Sequence, residues 1–145
     1  GWLACALCFG HYNPVPKRYR HAAMQLDLRP SDALGLWHAA TLEHVRVIGP
    51  DLTMRQLAIL LHIYLAPPPH TVRGLAAMLG VTKPVITRAL DTMGHMGLVR
   101  RVRDERDRRN VIIKRTVEGS LFVERLGDII IAEGRKLSSA EASGT

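Results

Sequence analysis

Cysteine is nearly absent: Cys5 and Cys8 are the only two, both within the stretch ACALC. Thiols this close together cannot staple a fold, and a lone C-x-x-C without a second pair is weak evidence for metal or redox chemistry. The expectation is two reduced thiols in a cytoplasmic protein, with no metal and no cofactor. Long hydrophobic runs are also missing. The opening segment GWLACALCFG is apolar over only ten residues, too short to span a bilayer. It carries neither an initiating Met nor the charged flank of a secretory signal, so no membrane partner is expected. Met24 is the first methionine, which makes residues 1–23 a candidate upstream extension. Finally, the sequence has no G-x-S-x-G, P-loop, H-E-x-x-H or dinucleotide fingerprint. Nothing in it points to an enzyme.

What is present is a basic, core-forming chain. Its 145 residues suit one domain, and 47% of them are hydrophobic, enough to bury a real core. The formal net charge is +7, which suggests an anionic partner. The charge is local: from Lys83 to Arg115 there are ten Lys/Arg against four Asp/Glu, an excess of +6, and the rest of the chain contributes +1. Within that segment, RRVRDERDRRN holds six arginines and three acids in its first ten positions, fenced by Leu98 and Val99 before and Val111, Ile112 and Ile113 after. A disordered basic tail would not be bracketed by two apolar, strand-like stretches.

Residues 1–28 read as an irregular, extended arm. The stretch RPSDALGLWHAATLEHVRVIGP reads as a helix, with Ser31 or Asp32 as its cap and Gly49-Pro50 as its stop. Leu34, Trp37, Thr41, Val45 and Ile48 follow helical spacing. Thr53 and Gln56 have capping-box spacing at the start of a second helix, with apolar Leu57, Leu60, Leu61, Tyr64 and Leu65. Pro67, Pro68 and Pro69 must end it, because proline donates no helical hydrogen bond. Next come a short helix with the stripe Leu75, Ala76, Leu79, a turn at Gly80, and a helix capped by Thr82 with Pro84 in its first turn. Ile86, Ala89, Leu90 and Met93 form the buried stripe of that helix. LVRRVR and NVIIKR then predict a two-stranded hairpin with a charged tip. Thr116 begins a last helix carrying Phe122, Leu126, Ile129 and Ile130. SSAEASGT, 138–145, is small and polar, and a flexible tail is expected there. The fold class is mainly α with a small β-hairpin (α+β).

Helix-turn-helix followed by a hairpin is a winged helix. Over LAAMLGVTKPVITRALDTMGHMGLVRR and RDERDRRNVIIKRTVEG the sequence resembles the MarR family of bacterial transcription regulators. The most specific match is D-R-R, a short β run, then Thr116 and Gly119 at family spacing. The resemblance implies a winged-helix domain over 29–137, with a DNA-binding lobe at 53–116. It also implies a homodimer held by helices at 32–48 and 117–137, with the two winged helices gripping successive grooves of a palindrome. The resemblance implies a cytoplasmic, nucleoid-associated regulator that acts as a ligand-responsive repressor.

The residue chemistry agrees. A helix fits the major groove, where outward side chains reach base edges and phosphates. With the buried stripe facing in, the outward set of helix 83–96 is Lys83, Pro84, Thr87, Arg88 and Asp91. Thr82 and Lys83 stand at the helix N-terminus, which favours phosphate. Thr87 and Arg88 match the family's T-R pair; Pro84 stands where many relatives carry Ser. In the wing, 100–110, arginine suits the strongly negative minor groove, and carboxylates can hold guanidinium groups ready by bidentate pairing. The resemblance implies that Asp107 buttresses and Arg109 contacts DNA, with Arg106 and Arg108 as further contacts. Arg115 departs from the family, whose members usually carry Leu there; snorkelling, pairing with Glu118 and a subgroup mark are all open. Trp37, His38, His62 and Tyr64 are candidates to line a pocket for a small amphipathic effector. His38 and His44 do not share a helix face, so no metal site is expected there. The competing reading is a winged-helix RNA-binding or protein-interaction module whose basic face meets an acidic partner.

Overall fold

The computed structural model describes residues 28–143, residue 48 excepted. Residues 1–27 of the expected arm, with Cys5 and Cys8, lie outside the described residues, as does Ile48 of the expected first-helix stripe. In chain order the elements are α1 (Pro30–Val47), α2 (Met54–Leu65), β1 (His70–Thr71), α3 (Val72–Leu79), α4 (Lys83–His95), β2 (Val99–Arg103), β3 (Val111–Arg115) and α5 (Val117–Ser143). The molecule is mostly helical with one small antiparallel sheet, in strand order β1-β3-β2.

Local chemistry explains most boundaries. At the start of α2, Gln56 N–H donates to Thr53 Oγ1 at 3.2 Å and Thr53 N–H donates to Gln56 Oε1 at 2.8 Å, the reciprocal pair expected from the spacing. Gly80 turns the chain between α3 and α4 in the left-handed region, at φ 66°, which a side chain would resist. Two expectations at helix starts are corrected. Pro30 opens α1, so Ser31 and Asp32 fall inside its first turn rather than at the cap, where proline's missing N–H costs nothing. Thr82 stands at the N-cap of α4, but its side chain makes no capping bond. At the other end of the chain, α5 continues as helix to Ser143, into the stretch expected to be a loose tail.

The hairpin gains a third strand. His70 and Thr71 pair with Ile113 and Ile112 of β3. Two residues are too few to show an alternating pattern, and the prolines just before them mask the strand. Thr71 also caps α3, its hydroxyl accepting Gly74 N–H at 3.0 Å. Between β2 and β3 the register pairs Arg101 with Ile113 and Val99 with Arg115.

The core lies between α2, α3, α4 and the sheet. Ile59, Leu60, Ile63, Leu75, Ile86, Leu90, Met93 and Ile113 are its largest fully buried side chains. The apolar stripe of α2 is rotated from the expected one. Ile59 and Ile63 are fully buried, Leu57 and Leu61 face the junction with α1 and α5, and Leu65 is exposed. The reason is that α2 packs on α4 and β3 on one side and α5 on another, so no single face carries its burial.

One corner fixes the wing to the helices. Tyr64 Oη donates to Leu98 O at 2.8 Å and accepts Thr116 N–H at 2.9 Å. Thr116 Oγ1 donates to Gly97 O at 2.6 Å and accepts Gly119 N–H at 3.0 Å. Gly119 is required by space: a Cβ there would overlap Tyr64 Oη and Leu98 O.

Candidate nucleic-acid interface

The helix-turn-helix presents α4 outward while burying Ile86, Ala89, Leu90 and Met93, the stripe read from the sequence. Thr82, Lys83, Pro84 and Arg88 are exposed and Thr87 is half-buried. Together they form one ridge at the N-terminal half of α4. Pro84 lies in the first turn, where the amides have no helical partners and proline removes one of them.

Beside that ridge stands the wing. Its tip, 104–110, is a built turn rather than a floppy loop. Asp104 N–H donates to Asn110 O, and Asn110 N–H donates to Asp107 O, both at 2.9 Å. The carboxylates act on the backbone. Asp104 Oδ1 accepts Arg106 N–H at 2.9 Å, Asp107 Oδ1 accepts Arg109 N–H at 3.1 Å, and Asp107 Oδ2 accepts from Asn110 Nδ2 at 3.1 Å. This corrects the expected guanidinium buttress. Asp107 shapes the turn that carries Arg109 and makes no ion pair with it. A short carboxylate two residues before an amide closes this ring more readily than it reaches a long arginine head. Among the described residues, Arg100, Arg103, Arg106, Arg108 and Arg109 are in no ion pair, and all five are exposed. Their charge therefore faces solvent uncompensated.

Arg101 behaves differently, in a way that no spacing along the chain signals. Its guanidinium pairs with Asp91 and donates to Thr87 O at 3.1 Å. Asp91 is the one acidic residue of α4. Arg101 therefore ties β2 to α4 and neutralises the one carboxylate on that helix. The partners lie ten residues apart on different elements, so only their packing reveals the pair.

The four candidate effector residues are not brought together. Trp37 lines a small cavity of about 60 Å³ with Thr41, His44, Leu57, Leu61 and Leu126, between α1, α2 and α5. His44, missed from the sequence, packs edge-on against Phe122 at 5.4 Å there. His38 is exposed on α1 and is not part of that lining. Tyr64 is 8% exposed and its hydroxyl is fully engaged at the corner described above. His62 packs against His70 instead. These two corrections share a cause: side chains spaced two apart on α2 point to opposite sides of a helix buried on both. Among the described residues no group of three or more His, Cys, Asp or Glu is placed to hold a metal, and no helix is long and apolar enough to cross a membrane.

Residues 51–110, from α2 through the helix-turn-helix and β2 to the tip of the wing, match the MarR family. Among solved structures the chain is similar to the transcriptional regulator Tm0710 from Thermotoga maritima, at 24% identity, covering 76% of this chain and 75% of that one with a TM-score of 0.65. It is also similar to a MepR mutant from S. aureus bound to an oligodeoxyribonucleotide, at 23% identity, covering 74% and 76% with a TM-score of 0.66. A MarR mutant from E. coli complexed with operator DNA shares the fold at 23% identity, covering 76% and 74% with a TM-score of 0.55. The match over residues 51–110 and the shared fold are what the chain has in common with the MarR family of transcriptional regulators.

Proposed function

We propose that the chain works as a homodimer reading a pseudo-palindromic operator, with α4 in the major groove and the wing tip in the flanking minor groove. The observation that carries this reading is the wing. Five exposed, unpaired arginines are arranged around a hydrogen-bonded turn beside the exposed N-terminal half of α4. Such a surface matches two adjacent grooves of B-DNA, and arginine favours a narrow minor groove. Thr82, Lys83, Thr87 and Arg88 are the proposed contacts from α4, with Pro84 packing beside them; Arg106, Arg108 and Arg109 are those from the wing, with Asp107 as their scaffold. The MepR and MarR relatives were captured on an oligodeoxyribonucleotide and on operator DNA.

Dimerisation is supported by unpartnered apolar surface. Leu34, Trp37, Val45 and Val47 on α1 and Leu121 and Ile131 on α5 are each between 47% and 69% exposed, and α1 packs directly on α5. A single lobe leaves this combined face open, and a second copy covers it. Repression relieved by a small amphipathic effector is part of the same reading. The site for it is the junction around Trp37 and His44, which in one chain is far below the roughly 300 Å³ of a ligand pocket and so needs the partner or a shift of α1 to enlarge.

The test is a charge-matched pair. Arg109→Ala removes a wing-tip arginine; Arg135→Ala removes an exposed arginine of α5 far from the wing. Arg109→Ala is expected to cost about 1–3 kcal/mol of DNA binding per subunit and lower the salt slope by about one, with Arg135→Ala near wild type. Equal losses in both would mean that only overall basicity matters.

A further inference from the structure

At the foot of the wing, side chains from three elements meet at the C-terminal end of α2. Arg115, the last residue of β3, donates through Nε to Ile63 O and through a terminal nitrogen to Ala66 O, each at 2.8 Å. Its guanidinium also stands 5.8 Å from the Tyr64 ring centroid. A cation clasping the last carbonyls of a helix is favoured by the helix dipole. This answers what Arg115 does where relatives usually carry Leu: among the described residues it pairs with neither Glu118 nor any other acid, and it pins the base of the wing to α2.

His70 shares this seat. It is 5% exposed, it pairs through β1 with Ile113 of β3, and it lies beside the same two carbonyls, of Ala66 and Ile63. Its Nε2 has no hydrogen-bond partner. Its ring stands edge-on to His62 of α2 at 5.5 Å. The charged and titratable groups on the elements around it are Arg55, His62 and Tyr64 on α2, Arg73 on α3, and Lys114 and Arg115 on β3; none of α2, β1, α3 or β3 contains an Asp or Glu. A proton on His70 therefore meets no carboxylate. It meets a guanidinium that uses the same acceptors. Burial first, then the charges of His62 and Arg115, hold the His70 imidazole below the usual histidine value of 6.5.

We propose that Arg115 is a positioning residue for DNA binding whose seat requires neutral His70, so that acidification releases the wing. With the imidazole neutral, Arg115 holds the foot of β3, and the wing tip at the other end of that strand keeps its angle to α4. With His70 protonated, imidazolium and guanidinium repel and compete for the Ile63 and Ala66 carbonyls, and the pin opens. The folded, pinned state binds the proton less readily than the open or unfolded state. The pin is therefore complete above the ordinary histidine value and is lost as pH falls below it. The inference rests on the reading of the wing as a DNA contact.

The experiment measures affinity of the full chain for a duplex recovered by selection from random-sequence DNA, from about pH 8 to about pH 5. Wild type is expected to weaken on acidification, by up to about tenfold per pH unit below the onset of His70 titration. His70→Gln, which cannot take the proton, is expected to match wild type at the alkaline end and not to weaken below it. Arg115→Leu is expected to be weak at the alkaline end with a flat profile. Arg115→Lys keeps the charge but cannot span both carbonyls; it is expected to fall between the two, and it serves if the leucine variant does not fold. Acid weakening that persists in His70→Gln overturns the proposal, as does wild-type affinity in Arg115→Leu or Arg115→Lys at the alkaline end. The wing reading fails separately, through an Arg109→Ala variant that binds like wild type.

Discussion

Asp107→Ala makes the protein more basic at the surface that meets DNA, yet it is expected to weaken binding. The carboxylate holds Arg109 N–H at 3.1 Å and Asn110 Nδ2 at 3.1 Å. A typical hydrogen bond nets about 0.5–1.5 kcal/mol, and these two are exposed, so together they favour the formed turn by about 1–2 kcal/mol. Removing them leaves the two backbone bonds of the tip, Asn110 N–H to Asp107 O and Asp104 N–H to Asn110 O, and the bond from Arg106 N–H to the Asp104 carboxylate, which lies before Arg108 and Arg109. The fraction of wings with Arg108 and Arg109 presented falls accordingly, and binding must restore the order. Against this stands the gain from deleting one negative charge near phosphate, less than about 1 kcal/mol once salt screening at about 8 Å is included. The turn wins, and a loss of roughly three- to tenfold per subunit is expected. Asp107→Asn separates the two effects, because its amide oxygen can still accept Arg109 N–H while the charge is gone. It should bind at least as tightly as wild type. Fluorescence anisotropy with one duplex at several salt concentrations reads all three proteins. Tighter binding by Asp107→Ala than by wild type, or indistinguishable alanine and asparagine variants, would refute the argument that the carboxylate acts through the turn.

Gly119→Ala pushes a methyl group into Tyr64 Oη and Leu98 O. Overpacking against backbone is expected to cost about 3 kcal/mol, or roughly 10 °C in a thermal melt followed by circular dichroism, and adding Tyr64→Phe should recover part of it. Arg101→Gln frees Asp91 and unties β2 from α4, so it should weaken DNA binding, and Asp91→Asn in the same chain should restore part; no recovery would mean that neutralising Asp91 is not what Arg101 contributes. Sedimentation equilibrium should find a dimer at micromolar concentration and a monomer for Ile131→Asp, a residue 53% exposed on α5. A wild-type monomer would remove the palindrome from the proposed function.

The sequence alone determined what is encoded within about one turn of chain. The Thr53–Gln56 capping box, the stop at Pro67, the left-handed Gly80 and the buried stripe of α4 each depend on neighbours three or four residues away, and each is where the spacing puts it. The segregation of basic charge into 83–115 was equally legible, because composition needs no coordinates. What only the tertiary structure decided are the joints between elements. Tyr64 bonds to residues 34 and 52 positions away, Arg115 reaches back 52 and 49 positions to α2, and Arg101 finds Asp91 across the gap between β2 and α4. Even the role of Asp107 turned on conformation: the same carboxylate can hold a guanidinium or a backbone amide, and the turn geometry at the wing tip selected the amide. Local preferences act on φ, ψ and caps, whereas these partners are chosen by how helices and strands pack, and a linear spacing carries no record of that.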